Sequence, residues 1–150
     1  MFYFEEKTYS KISFVCNANM CRSPLASAIA KSLTDDFDIV SCGIRTLDGY
    51  SATHNAQKVA LEKNLDLSHH RTQNHSLDLL QGSLVLCMDT KQKLFLKQKY
   101  DNLNVYLLAE KGSESMEVIK DPTNKDLNAH RETFKSLYHE INILLGKLSR

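Results

Sequence analysis

Cys16 and Arg22 stand either side of Asn17, Ala18, Asn19, Met20 and Cys21, and Ser23-Pro24 follows at once. The residues before the cysteine, Ile12-Ser13-Phe14-Val15, read as the end of a buried strand. Ser-Pro reads as a helix start, with serine as N-cap and proline at the first helical position. A loop between a strand end and a helix start can turn successive backbone N–H groups inward, making an anion nest reinforced by the helix dipole. A phosphoryl group suits such a nest. Cysteines in these surroundings are acidified from about 8.5 to roughly 3.5–7.5, because the field that holds phosphate also holds a thiolate. Cys16 therefore reads as a nucleophile. Arg22 can hold two phosphoryl oxygens with its planar guanidinium, where a lysine would offer only a point charge. Ser23 can donate its hydroxyl to the sulfur, and Asn19 can tolerate a left-handed backbone and tie the loop together. The spacing alone is a weak signal, since a buried strand-end cysteine and a surface arginine would produce it too. Its weight comes from the strand, loop and helix around it.

Transfer of a phosphoryl group to a thiolate expels an alkoxide or phenoxide, so a proton donor is needed on a loop that reaches over the pocket. Asp121-Pro122 lies between the fourth strand-like segment and the last helix, on the expected rim, and the proline would stiffen it. The competing reading of Asp121 is an ordinary helix-entry aspartate, a role for which Asp126 is also available.

The segments that must position these groups alternate. Residues 11–16, 37–42, 83–88 and 104–108 are short, apolar and rich in Val, Ile, Phe or Tyr. Between them, Leu25, Ile29 and Leu33 recur at near-helical spacing, and 53–64 and 90–99 read as helices. Phe134, Leu137, Tyr138, Ile141, Leu144, Leu145 and Leu148 form one apolar stripe along a last helix. Strands alternating with helices predict an α/β fold with a parallel sheet, right-handed crossovers and helices on both faces. Ligands in such folds sit beyond the carboxyl ends of the strands, where Cys16 falls.

The chain has 150 residues, 42% hydrophobic and 25% charged, with a net charge of +1, the balance of one domain. The lysines are spread along it, so no nucleic-acid or membrane footprint is expected. No stretch approaches a membrane span, and MFYFEEKTYS is too short and too acidic for a secretory signal, so a cytoplasmic location is expected. In that compartment Cys16, Cys21, Cys42 and Cys87 favour thiol chemistry and burial over disulfides. No repeat or linker-like run divides the chain.

Val15-Cys16-Asn17-Ala18-Asn19-Met20-Cys21-Arg22-Ser23-Pro24 resembles the signature of the low-molecular-weight protein tyrosine phosphatases, Val-Cys-x-Gly-Asn-x-Cys-Arg-Ser-Pro. The resemblance continues at Ser41-Cys42-Gly43, Asp66-Leu67-Ser68-His69-His70-Arg71, Leu86-Cys87-Met88-Asp89 and Asp121-Pro122. It covers nearly everything after about residue 10, leaving residues 1–10 as an N-terminal extension. It implies a single-domain three-layer sandwich with a four-stranded parallel sheet in the order 2-1-3-4. It also implies a two-step hydrolysis of phosphotyrosine monoesters, with Cys16 as nucleophile, Arg22 on the phosphoryl group and Asp121 as acid and then base. Residues 17–23 would hold the phosphate, and one histidine of the 69–70 pair would orient Asn19. Neither metal nor organic cofactor is implied. The implied partner is a phosphotyrosine protein, a tyrosine kinase among the candidates, met by a monomer. Cys21 could serve as resolving partner if Cys16 is oxidised, while Cys42 and Cys87 read as small core residues.

Three departures qualify the resemblance. Ala18 replaces a glycine, which is tolerable where φ is negative. Thr123-Asn124 follows Asp121-Pro122 where many members of the family carry aromatic residues that wall the cleft. Leu47 or Tyr50, after the second strand, could supply part of that wall. Two other functions compete: a thiol-dependent arsenate reductase, which needs two further relay cysteines near the third strand where only Cys87 stands, and a phosphate- or phosphotyrosine-binding module without turnover.

Overall fold

Parallel strands buried on both faces need unbroken apolar runs, and the computed structural model, which describes residues 8–148, places them in the four expected segments. They are β1 (Lys11–Cys16), β2 (Asp38–Gly43), β3 (Leu84–Cys87) and β4 (Asn104–Leu107), all parallel, in the order β2-β1-β3-β4. The central strand is β1, with Cys16 paired to Gly43 at one carboxyl end and Val15 paired to Cys87 on the other side. The nucleophile candidate therefore emerges from the middle of the sheet.

The helices are α1 (Arg22–Leu33), α2 (His54–Glu62), α3 (Leu77–Leu80), α4 (Thr90–Lys99), α5 (Leu108–Lys111) and α6 (Leu127–Leu148). Ile12, Phe14 and Cys16 of β1 pack into one core cluster with residues of α1, α2 and α6; Val15 packs into a second with Leu80 of α3 and Leu96 of α4. Alternation along one strand thus feeds two cores, and three layers result. Each fully buried Leu, Ile or Phe contributes about 1.5–3 kcal/mol. A fully buried polar pair lies near them, where the Ser83 hydroxyl donates to that of Ser13 at 2.7 Å.

Several local expectations change. The helix after the loop begins at Arg22, with Cys21 at its N-cap position and no side-chain cap, so Ser23 does not cap it; that hydroxyl is engaged by the sulfur of Cys16. Leu33 and Tyr138 belonged to apolar stripes but are exposed, Tyr138 stacking on Phe134 at 6.4 Å between ring centroids. Leu108 opens α5 instead of ending β4. The one-turn helices α3 and α5 are too short to leave a periodic signal. Of the expected N-terminal extension, residues 1–7 lie outside the described residues, while Tyr9 packs against the first core cluster and Ser10 accepts a hydrogen bond from Asp38 N (2.8 Å). Among the described residues, no helix is long and apolar enough to cross a membrane.

Candidate active site

The turn from β1 into α1 is made by Asn19, whose φ of 58° lies in the left-handed region that asparagine tolerates better than other side-chain-bearing residues. Ala18 beside it is not left-handed, so a methyl group is accommodated where glycine was expected. The carbonyl oxygens of Cys16, Asn17, Asn19, Met20 and Cys21 are each engaged. Ile44 N donates to Cys16 O (3.0 Å), Arg45 N to Asn17 O (3.0 Å), Thr53 N to Met20 O (2.9 Å) and Leu25 N to Cys21 O (3.0 Å), while His70 Nε2 meets Asn19 O at 2.7 Å. In a trans peptide the C=O of one residue and the N–H of the next point in opposite directions. Carbonyls bound to the surroundings therefore turn the amides of Asn17, Ala18, Met20 and Cys21 to the inner side, onto the pocket lined by Cys16, Asn17, Ala18, Met20, Cys21, Arg22, Asp121 and Thr123.

The sulfur of Cys16, a residue 3% exposed, sits at the base of this pocket, 3.0 Å from Ser23 Oγ and 3.4 Å from Ser23 N. The direction of the hydroxyl bond follows from the network behind it. Gln73 N donates to Asn19 Oδ1 (3.0 Å), which fixes the amide so that Asn19 Nδ2 donates to Ser23 Oγ (2.8 Å) and Ser41 Oγ (2.9 Å). Ser23 Oγ, already accepting from Asn19, has two acceptors in reach, Cys16 Sγ at 3.0 Å and Cys42 O at 3.5 Å; the nearer takes the proton, so the sulfur receives both the hydroxyl and the backbone N–H of Ser23. His70 faces a carbonyl, which can only accept, so Nε2 carries the proton. Burial first, then Lys31 and Arg71, hold this ring below its ordinary value of 6.5 against the opposing bond to Asn19, so His70 is neutral at neutral pH.

Gly43 lets β2 lie against the loop. A Cβ there would come 2.9 Å from Asn17 O and 3.2 Å from Ala18 C, both backbone atoms that cannot step aside. On the opposite flank Gln92, 1% exposed, spends its whole amide. Oε1 accepts from Met88 N (2.8 Å) and Asp89 N (3.3 Å), and Nε2 donates to Asn17 Oδ1 (3.1 Å) and Asp89 Oδ2 (3.2 Å).

Arg22 is 3% exposed. Its Nη1 donates to Ile119 O (3.0 Å) and to Asp89 Oδ2 (3.5 Å), and its Nη2 lies 3.6 Å from Asp121 Oδ2. Asp126, not Asp121, accepts the N-terminal amide of α6, from Ala129 N at 2.9 Å. Asp121 is left on the pocket rim. Burial raises its carboxyl pKa, but the hydroxyl and amide of Thr123, then Arg22 and His130, outweigh burial and hold it below its ordinary 3.8.

The other three cysteines are buried thiols. Cys21 lines the same pocket, and burial, with Cys16 and Asp121 adding, pushes its thiol up to about 12 against Arg22 and Thr53. Cys42 is likewise pushed up to about 12 by burial and then by Cys16. Cys87, also raised, is fully buried with Cys42 in the second core cluster, whereas Cys16 packs in the first. Leu47 and Tyr50 stand exposed by 69% and 53%, on a segment held by buried Thr72, whose Oγ1 donates to Leu47 O and accepts from Tyr50 N (2.9 Å). Neither is among the residues lining the small pocket, which Thr123 joins instead. Sequence reasoning missed Gln92, Thr72, Gln73 and the carbonyl of Ile119. Only the Asp89-x-x-Gln92 spacing, a capping-box pattern, could have drawn attention to one of them.

Amides turned inward over a sulfur, at the carboxyl end of the central strand of a parallel sheet, define a class: enzymes that carry phosphate on cysteine. Within it the chain belongs to the low molecular weight phosphotyrosine protein phosphatase family, whose model matches residues 11–150. It is similar to the low molecular weight protein-tyrosine-phosphatase PtpB of Staphylococcus haemolyticus, with 35% identity over 92% of this chain and 96% of the relative. Two solved structures share the fold. The tyrosine phosphatase AmsI of Erwinia amylovora superposes with a TM-score of 0.90 at 26% identity, covering 99% of each chain. The YwlE arginine phosphatase of Geobacillus stearothermophilus does so with 0.89 at 25% identity, covering 93% of each.

Proposed function

We propose that the protein hydrolyses phosphotyrosine in protein substrates by way of a phosphate carried on Cys16. The observation that carries this reading is the hydrogen bond from Ser23 to the Cys16 sulfur beneath inward-facing amides. In the first step Sγ bonds to phosphorus as the bond from phosphorus to the phenolic oxygen breaks, and Asp121 gives its proton to that oxygen. In the second, water bonds to phosphorus, its proton passes to Asp121, and the electron pair of the S–P bond returns to sulfur, which Ser23 stabilises. The inward amides and Arg22 face the equatorial oxygens, where charge spreads in the transition state. Positive charge and nucleophile both come from the chain, so the scheme draws on no metal.

Arg22 explains why a rim aspartate with a lowered pKa can act as an acid. It is the cation beside Asp121, and a bound phosphoryl dianion engages it, adds negative charge and raises the carboxyl toward protonation. The partners in this reading are phosphotyrosine proteins in the cytoplasm, tyrosine kinases among them, met by a monomer; the exposed Leu47 and Tyr50 would flank the substrate ring.

The arginine phosphatase among the structural relatives makes phosphoarginine the reading to exclude. Met20, half-buried on the pocket wall, favours the aryl group, because a thioether packs well against an aromatic ring and is only a weak acceptor for the donors of a guanidine. Purified protein should release phosphate from a phosphotyrosine peptide without added metal, with a higher kcat/KM than from a phosphoarginine peptide, and Cys16→Ser should abolish turnover. Preference for phosphoarginine would reject the substrate; activity surviving Cys16→Ser would reject the mechanism. Tight retention of the phosphopeptide without phosphate release would show a binding module instead.

A further inference from the structure

The rim aspartate is held in an unusual way. After Asp121-Pro122 the chain turns, Lys125 N donating to Pro122 O (2.9 Å) with Asn124 left-handed at φ 63°. Within that turn Thr123 aims two donors at one atom: its backbone N lies 3.0 Å, and its Oγ1 2.6 Å, from Asp121 Oδ1. The other oxygen, Oδ2, lies 3.6 Å from Arg22 Nη2, and Thr123 lines the same pocket as Cys16 and Arg22. Donors saturate the lone pairs of Oδ1 and make it the poorer place for a proton; Oδ2 has no comparable donor and sits beside the guanidinium that binds phosphate.

We infer that Thr123 is a positioning residue whose hydroxyl fixes Asp121 Oδ2 as the oxygen that gives and later takes back the catalytic proton. The inference rests on the two-step phosphatase reading above. In the first step the proton leaves Oδ2 for the leaving oxygen as its bond to phosphorus breaks and sulfur bonds to phosphorus. In the second the same Oδ2 takes the proton of the attacking water as the S–P pair returns to sulfur. One oxygen serves both steps without rotation of the carboxyl group, since Thr123 is anchored by its own backbone and by the turn behind it. A threonine at this position thus offers a function that an aromatic wall does not.

The groups facing Asp121 come from three elements: Arg22 from α1, His130 from α6 and Cys21 from the phosphate loop, with Thr123 on its own segment. The hydroxyl is a donor to the carboxylate, so its removal favours the protonated form and shifts the Asp121 limb of the pH profile to more alkaline values. Thr123 is exposed, and Thr123→Val keeps shape and backbone N–H while deleting one hydrogen bond.

The test compares native protein, Thr123→Val and Thr123→Ser on p-nitrophenyl phosphate, whose leaving group needs little protonation, and phenyl phosphate, which needs a full proton. The expected result for Thr123→Val is a fall in kcat/KM of about fivefold to tenfold on phenyl phosphate, a fraction of the 10²–10⁴ supplied by general acid catalysis. Its loss on p-nitrophenyl phosphate should be several-fold smaller than on phenyl phosphate, and its pH limb should move alkaline. Thr123→Ser should restore native values in all three respects. Native turnover with Thr123→Val unchanged in leaving-group dependence and pH limb, or with Val and Ser variants alike, overturns this inference alone. A native protein that hydrolyses neither ester overturns the phosphatase reading and the inference with it.

Discussion

At the sulfur, one hydroxyl serves both attack and departure. Ser23 Oγ accepts from Asn19 and donates to Cys16, so the state of the sulfur depends on a serine held in place by an asparagine. A hydrogen bond to a charged group contributes about 1.5–3 kcal/mol, so Ser23→Ala should lower kcat by about tenfold to a hundredfold while KM changes little. Steady-state kinetics on an aryl phosphate check this; an unchanged kcat would show that the bond does not act on the sulfur. Asp121→Asn should cost most with poor leaving groups, about 10²–10⁴ in kcat/KM, and a uniform loss across leaving groups would contradict its assignment as the acid. Cys16, Arg22, Ser23 and Asn19 could be singled out in the sequence because a strand signal precedes them and a helix start follows them at once. Gln92 and Thr72 could not, since each acts by threading its polar atoms between backbones far apart in the chain, and nothing in its own neighbourhood marks it.

Among the elements, β2 and the segment after α2 serve the loop from behind. Gly43 is the contact point of β2, and Gly43→Ala must push Asn17 O or Ala18 aside because neither is the end of a flexible side chain. The expected outcome is a large loss of kcat/KM with a smaller loss of thermal stability, read by parallel kinetics and melting; loss of stability with full activity per folded molecule would contradict it. The segment carrying His70 and His75 adds a pH dependence. Both rings are held below their ordinary 6.5, His70 by burial, Lys31 and Arg71, and His75 by burial and Lys99. In the window below 6.5 the unfolded chain binds protons that the folded chain does not, so stability declines as pH falls through that window and levels off once the folded rings protonate. Denaturant melts from neutral to mildly acidic pH should show this slope, reduced in His70→Gln. The long elements were legible in the sequence because 22 residues of α6 or a run such as β1 carry their own periodicity. The start of α1 was misplaced by two residues because Ser23, a good cap by type, is claimed by the sulfur across the turn. Tertiary demand overrode local preference there.

For the molecule as a whole, the sheet order puts β1 at the centre, and strands on both sides fix the cradle's floor before any ligand arrives. Binding of phosphate should therefore stabilise the whole fold by mass action and not by local ordering. Inorganic phosphate at about 100 times its Kd adds about 2.7 kcal/mol, a rise in Tm of about 5–10 °C for a domain of this size. Arg22→Met should lose most of that rise, and an undiminished rise would place the anion elsewhere. The topology was readable from four short apolar segments and their crossovers, whereas the pairing of Arg22 with Asp89, Ile119 and Asp121 joins residues 67 to 99 positions apart and only the folded chain reveals it. The central claim is that phosphate passes through the sulfur of Cys16. Rapid acid quench of the native protein during turnover of an aryl phosphate, followed by peptide mass spectrometry, measures this directly. The expected result is one phosphoryl group on the peptide containing Cys16, absent in Cys16→Ala; a phosphoryl group on another residue, or turnover in Cys16→Ala, would contradict the account.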